Sequence, residues 1–141
     1  MKTLLKMVGA SGLLCLLLAV PGVAQLANGM DFSTDFAFWV GTTKMPAGAY
    51  KITQSDQMQG MMRVSDESGK HSAMVEFTPM QAETTHASSD VTFHRYGKEE
   101  YLNTVLVGGQ KYGMQIEPSK AEKKLAAAQK PETHKVSGKA K

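Results

Sequence analysis

The chain has 141 residues, a formal net charge of +3 and a single cysteine, Cys15. Its charge is uneven, because residues 25–118 carry seven basic and eleven acidic side chains while residues 119–141 carry seven lysines and two glutamates. An acidic body does not favour nucleic acid as a partner, and a lone cysteine excludes a disulfide framework.

The first 24 residues have the order of an export signal. Lys2 and Lys6 precede an apolar run centred on residues 13–20, and the small residues Gly22 and Ala24 stand before a cleavage point at Gln25. The apolar run is shorter than the roughly 20 residues that a transmembrane helix needs. The sequence therefore predicts a signal peptide over residues 1–24 and an exported mature chain, periplasmic or extracellular, without a transmembrane segment.

The mature chain reads as β structure after a linker over residues 25–35. Apolar and polar residues alternate with period two in short segments separated by turn residues, which is typical of half-buried strands. Residues 36–118 are thus predicted to form one all-β domain of about seven short strands, an antiparallel sandwich or a small barrel. The segments are residues 36–41, 50–53, 61–65, 73–78, 91–96, 102–106 and 112–116.

One helix is predicted at the C-terminal end, over residues 119–130. Ser119 follows a proline and Glu122 comes three residues later, the spacing of a capping box. Residues 131–141 contain too few apolar side chains to fold and are predicted to be a disordered basic tail, whose lysines suit anionic surfaces. The helix is expected to dock weakly on the domain through Ala121, Leu125 and Ala128.

The segment "VTFHRYGKEEYL", residues 91–102, predicts a β-hairpin. A two-residue loop, Gly97-Lys98, sets Arg95 opposite Glu100, while a four-residue loop sets Tyr96 opposite Tyr101. The first register is preferred because it pairs opposite charges across the strands. In both registers Val91 and Phe93 share the buried face, and the partner strand is expected to bury Leu102, Thr104 and Leu106.

The outward face of this hairpin is the candidate ligand site. His94, Tyr96 and Tyr101 would form a polar-aromatic patch able to bind a sugar or a peptide. The alternative is that these residues only follow strand preferences and that His94 bonds to a neighbour.

Catalytic and metal-binding motifs are absent. The sequence has no HExxH, G-x-S-x-G, P-loop or dinucleotide fingerprint, and Cys15 lies in the predicted signal. The four histidines lack the spacing of metal ligands, so no catalytic residue, cofactor or zinc site is predicted. Met58, Met61 and Met62 lie close together and could bind Cu(I), although methionines also fill cores and Met62 fits an inward position.

The stretches "FWVGTTKMPAGAYKI", "FHRYGKEEYL" and "PSKAEKKL" resemble a group of small exported bacterial proteins of unknown function. That group carries an F-x-V-G…L-P-A-G-x-Y segment, an F-H-[KR]-Y-G hairpin and a closing P-x-S-x-A-E-x-x-L helix. The resemblance covers Phe36 to Leu125, with mild departures at Met45 and Glu100. It implies an exported β domain and brings no known activity.

The expected function is therefore a non-enzymatic binding or structural role at the cell envelope. An envelope protein, a peptide or a polysaccharide would be the partner. The first alternative is a methionine-based copper-handling protein, and the second is a small hydrolase or isomerase acting through His94.

Overall fold

The computed structural model describes Leu26 and residues 29–140. The predicted signal peptide with Cys15, the cleavage point and Lys141 lie outside the described residues. One helix, α1, spans Lys120–Ala128. The strands are β1 Met30–Thr34, β2 Phe38–Val40, β3 Thr43–Met45, β4 Gly48–Gln54, β5 Met61–Asp66, β6 Ser72–Gln81, β7 Asp90–Tyr96, β8 Glu99–Leu106, β9 Tyr112–Ile116 and β10 Glu132–Ala140.

Eight of these strands close into an antiparallel barrel. Around the ring the order is β8-β7-β10-β1-β4-β5-β6-β9, and β9 pairs again with β8. The short strands β2 and β3 form a hairpin that is not a member of the ring, and β2 joins β8 through a single parallel bridge between Trp39 and Tyr101. The prediction of an all-β antiparallel domain is confirmed, and of its two forms the barrel is the one that occurs.

The barrel interior is filled by side chains, as expected for eight strands. Aromatic rings pack closely there, with ring centroids of Phe32 and Phe38 5.8 Å apart and those of Phe38 and Phe93 5.2 Å apart. Met30, Met62 and other aliphatic residues complete this core. Any ligand site among the described residues must therefore be sought on the outside or at the rim of the barrel.

Two strands, β1 and β10, lie in segments for which the sequence predicted no strand. Residues 25–35, predicted as a linker, contain β1, whose Met30 and Phe32 are buried in the core. Residues 131–141, predicted as a disordered tail, contain β10, which pairs with both β1 and β7. The segment of β1 offers only two large apolar residues, Met30 and Phe32, and that of β10 only Val136, so neither shows a clear strand pattern. Both strands are stable because neighbours on two sides satisfy their backbone hydrogen bonds.

The central hairpin has the preferred register. Phe93 lies opposite Leu102 and Arg95 opposite Glu100, around a two-residue turn in which Gly97 has a φ of 63°. Among the described residues only glycines have a positive φ, so the φ of Lys98 is negative. A positive φ at the first turn position alone is the type II′ conformation, which favours glycine there.

A β-bulge changes the buried face of β8. The register shifts between Thr92 and Phe93, which leaves Asn103 without a cross-strand partner. Beyond the bulge Val105 enters the core in place of Leu106, so the expected burial of Leu106 is wrong. Thr104 is buried on the outer side, where its hydroxyl bonds that of Thr92.

Helix α1 begins after the predicted N-cap, Ser119, whose Oγ accepts a hydrogen bond from the backbone N–H of Glu122 at 3.2 Å. The expected docking surface is wrong in two of three positions, because Ala121 and Ala128 are exposed and only Leu125 is half-buried. The one buried residue of the helix is Glu122. No helix in the described part of the chain is both long and apolar enough to cross a membrane.

Strand β10 approaches β1 closely at Gly138. A Cβ at this position would lie 2.7 Å from the sulfur of Met30, a fully buried side chain. Overpacking of this kind typically costs 1–3 kcal/mol. We therefore expect Gly138→Val to lower the free energy of unfolding by about 1–3 kcal/mol, measured by urea denaturation.

The neighbouring exposed position supplies the control. Ser137 points outward on the same strand, so Ser137→Val should change stability by well under about 1 kcal/mol. Equal effects of the two substitutions would show that β10 is not seated against Met30 as described.

Candidate functional site

A single row of outward side chains crosses five neighbouring strands. The register places Lys44 opposite Trp39, Trp39 opposite Tyr101, Tyr101 opposite His94 and His94 opposite Thr133. Residues directly opposite in a sheet share a face, so these side chains form one continuous strip along the outer face of the barrel and of the attached β2–β3 hairpin.

The predicted patch does form, and its rings touch. The His94 and Tyr96 rings lie 6.3 Å apart at 86°, and Tyr96 and Tyr101 lie 5.9 Å apart at 79°, both edge-to-face. However, Tyr96 is 4% exposed and Tyr101 is 5% exposed. The two tyrosines are therefore part of a packed cluster and do not offer a free aromatic surface.

Trp39 covers one side of this cluster. Its ring stacks on Tyr101 with a centroid distance of 6.1 Å and an interplanar angle of 15°. Its Nε1–H donates to Oε2 of Glu99 at 2.6 Å, and the ammonium of Lys44 lies 5.5 Å from the ring centroid. Both neighbours hold the indole in place, which leaves it less free to stack on a sugar.

Helix α1 covers the other side through Glu122. One carboxylate oxygen, Oε1, lies 3.5 Å from Nδ1 of His94 and 3.5 Å from the hydroxyl of Tyr96. In a full capping box this carboxylate would turn back to the start of the helix, but here it points to the barrel. The sequence analysis missed Glu122 as a site residue because its place in the capping box already explained a glutamate at that position.

A cavity of about 240 Å³ lies between α1 and the outer wall of β7, β8 and β9. Its polar lining comes from His94, Tyr96, Asn103, Gln115, Glu122 and Lys123. Its apolar lining comes from Ile116, Pro118, Ala126 and Pro131. The side-chain amide of Gln115 already donates to the side chain of Asn103 at 2.8 Å, so the floor is pre-organised.

Burial shifts the ionisation of the two central groups in opposite directions. It raises the pKa of Glu122, although the hydrogen bond from Tyr96 acts the other way. It lowers the pKa of His94, so that imidazole is mostly neutral at neutral pH. Burial, followed by the charge of Glu122, also raises the pKa of Tyr96.

A larger hollow of about 650 Å³ lies over the outer faces of β10, β1, β4 and β5. Its charged side chains, among them Lys51, Glu67 and Lys139, are exposed or half-exposed. The helix-covered cavity is the better candidate site because it combines a buried carboxylate with a neutral imidazole.

The methionine cluster is divided by the strand. Met62 is fully buried in the core, whereas Met58 is 49% exposed in the preceding turn. Met61 precedes Met62 in β5, so its side chain points to the opposite face of the sheet. Met62 therefore cannot share an ion with the other two, and copper binding through Met58 and Met61 stays a prediction.

The described residues contain no group of three or more His, Cys, Asp or Glu side chains able to hold a metal.

Comparisons with protein-family models, with curated proteins and with solved structures gave no match. The resemblance to small exported bacterial proteins therefore stays a prediction.

The raised pKa of Glu122 predicts a defined pH dependence of stability. Because the folded state holds this proton more tightly than the unfolded state, the contribution to stability is complete below the unfolded-state pKa and is lost as pH rises through the folded-state pKa. Glu122→Gln keeps the shape but cannot ionise. Measured by urea unfolding from pH 4 to 8, the wild type should lose stability relative to this variant as pH rises.

Glu117→Gln is the matched control, since it removes one exposed carboxylate next to Lys123. The lowered pKa of His94 has the opposite effect on stability. Its contribution to the free energy of unfolding is complete above about pH 6.5, the unfolded-state pKa, and is lost as pH falls through the folded-state pKa. Glu122→Gln removes the carboxylate and retains His94, so the difference between the two proteins reports the carboxylate together with its contact to His94. A stability difference that does not change with pH would contradict the burial of its charge.

Proposed function

We propose that this protein is an exported, non-enzymatic binding module whose ligand enters the cavity between α1 and the barrel wall. The observation that carries the proposal is the Glu122 carboxylate, which is 6% exposed, faces that cavity and belongs to the one buried residue of the helix. A buried carboxylate is unfavourable unless it is paired.

Its present partners do not fully compensate the carboxylate. Both contacts of Oε1 are 3.5 Å long, at the outer limit of a hydrogen bond, and burial favours a neutral His94. A cationic ligand head could approach Glu122 more closely and restore a strong, charge-assisted hydrogen bond. This supports a ligand with a basic group.

The rest of the cavity indicates what carries that group. Ile116, Pro118 and Ala126 supply an apolar wall for an aliphatic stem. Tyr96 and Tyr101 are too buried to stack on a sugar ring. We therefore favour a basic side chain of a peptide over a polysaccharide as the ligand.

The proposal predicts binding of a blocked arginine, N-acetyl-arginine amide, detected by NMR shifts of His94 and of the Asn103 and Gln115 side-chain amides. The isosteric N-acetyl-citrulline amide, which lacks the charge, should bind at least about tenfold more weakly, the change expected for losing roughly 1.4 kcal/mol. N-acetylglucosamine tests the polysaccharide alternative in the same assay.

Glu122→Gln should abolish the preference for arginine over citrulline, whereas Glu117→Gln should preserve it. Absence of shifts at the cavity, or arginine binding that survives Glu122→Gln unchanged, would overturn the proposal. Shifts caused by the sugar alone would favour the polysaccharide and would equally reject the basic ligand.

An isomerase acting through His94 is a second candidate, favoured by the concave surroundings of this histidine and the carboxylate 3.5 Å away. Among the described residues the lining contains no serine, threonine or cysteine, so proton transfer is the chemistry that its side chains support. Such an enzyme would remove a carbon-bound proton of its ligand and return one from solvent, so it predicts deuterium exchange from D₂O into a C–H position, slowed at least about tenfold by His94→Gln. Exchange at equal rates in both proteins would reject this activity.

A further inference from the structure

Strand β10 completes the barrel with little apolar surface of its own. Its only large apolar side chain is Val136, and none of its nine residues is fully buried. Its neighbours β1 and β7 would become open sheet edges if it left, and open edges pair readily with another strand.

Charged and polar contacts hold β10 to β7 and β8. Arg95 pairs with Glu132 at 2.7 Å, and Nδ1 of His134 lies 2.9 Å from Oε1 of the buried Glu100. Lys135 adds a longer contact to Asp90, at 4.0 Å. The other oxygen of Glu100, Oε2, is buried without a hydrogen-bond partner, so Glu100 depends on the strand that occupies this position.

The groove between β1 and β7 accepts a particular sequence, which we call the β10 seat. Its inward positions take His134 against Phe36, with ring centroids 4.6 Å apart, then Val136 against the core, then Gly138 over Met30. A side chain at the third position would meet the Met30 sulfur at 2.7 Å. The β10 seat therefore fits a strand with the inward pattern His-x-Val-x-Gly. Strand β10 has this pattern, whether it comes from the same copy of the chain or from another.

The connection before β10 is suited to act as a hinge. Residues 117–131 lie outside the barrel, and within α1 only Glu122 is buried. Fully extended, these residues would span about 50 Å. The helix itself buries little apolar surface, since Leu125 is only half-buried and its alanines are exposed, so the connection can reach a neighbouring molecule.

We infer that β10 exchanges between two copies of this chain, so that each copy places its β10 in the β10 seat of the other. The swapped dimer keeps every contact of the seat and changes only the hinge, which is how such exchanges become accessible. Its population rises with protein concentration during folding. The inference does not depend on the cavity or its ligand.

Disulfide trapping between two different copies tests this exchange. In a Cys15→Ser background, one copy carries Asp31→Cys and a second, of different mass, carries Lys139→Cys. Asp31 and Lys139 face each other across β1 and β10, so neither variant can close this disulfide alone. The two are mixed, unfolded, refolded together at high concentration and oxidised. A disulfide-linked heterodimer is expected, in a yield at least about tenfold above that of the control mixture. This yield should increase with the protein concentration during refolding.

The control uses two strands that remain together in either state. Lys51 and Ser65 face each other across β4 and β5, and copies carrying Lys51→Cys or Ser65→Cys are treated identically. These should form only the background of random heterodimers. If the Asp31/Lys139 mixture gives no more heterodimer than this control, the exchange is rejected.

The unmodified chain gives a second readout in case a cysteine variant folds poorly. Analytical ultracentrifugation after refolding at high concentration should show a dimer that persists on dilution and reverts only after unfolding. A monomer at every refolding concentration, or a dimer that dissociates at once on dilution, would overturn the inference.

Discussion

The pairing of β10 with β1 and β7 is the constraint on which the rest of the structure depends. Without β10 the remaining seven strands form an open sheet, in the order β1-β4-β5-β6-β9-β8-β7, with β1 and β7 at its edges. Closure removes both edges and encloses the aromatic and methionine core. The most polar strand of the barrel thus completes the fold, which is possible because its backbone is bonded on both sides and its charges meet partners on β7 and β8.

Closure also creates the candidate site. Strand β9 lies beside β8, and β10 lies beyond β7, so the connection between them must cross the outer faces of both intervening strands. That path places α1 over the face that carries His94 and Tyr96. The helix has almost no apolar surface to bury there, and Glu122 makes the contact instead. The cavity exists because a polar helix covers a sheet without packing closely against it.

Much of the central hairpin could be predicted from local rules. Turn chemistry and the pairing of opposite charges predicted Arg95 opposite Glu100, and this register grouped His94 with Tyr96 and Tyr101 on one face. The bulge at Thr92/Phe93 could not be predicted, because an extra residue changes no local preference. Nor could the stacking of Trp39 on Tyr101, which depends on a parallel bridge between residues far apart in the chain.

The hardest residues to predict were those whose role depends on the closed ring. His134 reads as an ordinary tail histidine, yet its nitrogen bonds Glu100 and its ring lies against Phe36. Glu122 reads as a capping residue, yet it is the buried carboxylate of the cavity. In both cases a polar side chain near the C-terminus has its partner in the central hairpin, and such a partner leaves no trace in nearby sequence.

The two proposals share one segment, residues 117–131, and that couples them. A ligand that bridges Glu122 and the barrel wall would hold α1 against its own β7 and β8. Exchange of β10 requires the same segment to leave that surface. Since anything that binds one state and not the other shifts the equilibrium towards it, a cavity ligand must favour the closed monomer, and the dimer must bind that ligand more weakly. The helix would then act both as the lid of a binding site and as the hinge of the strand that closes the barrel.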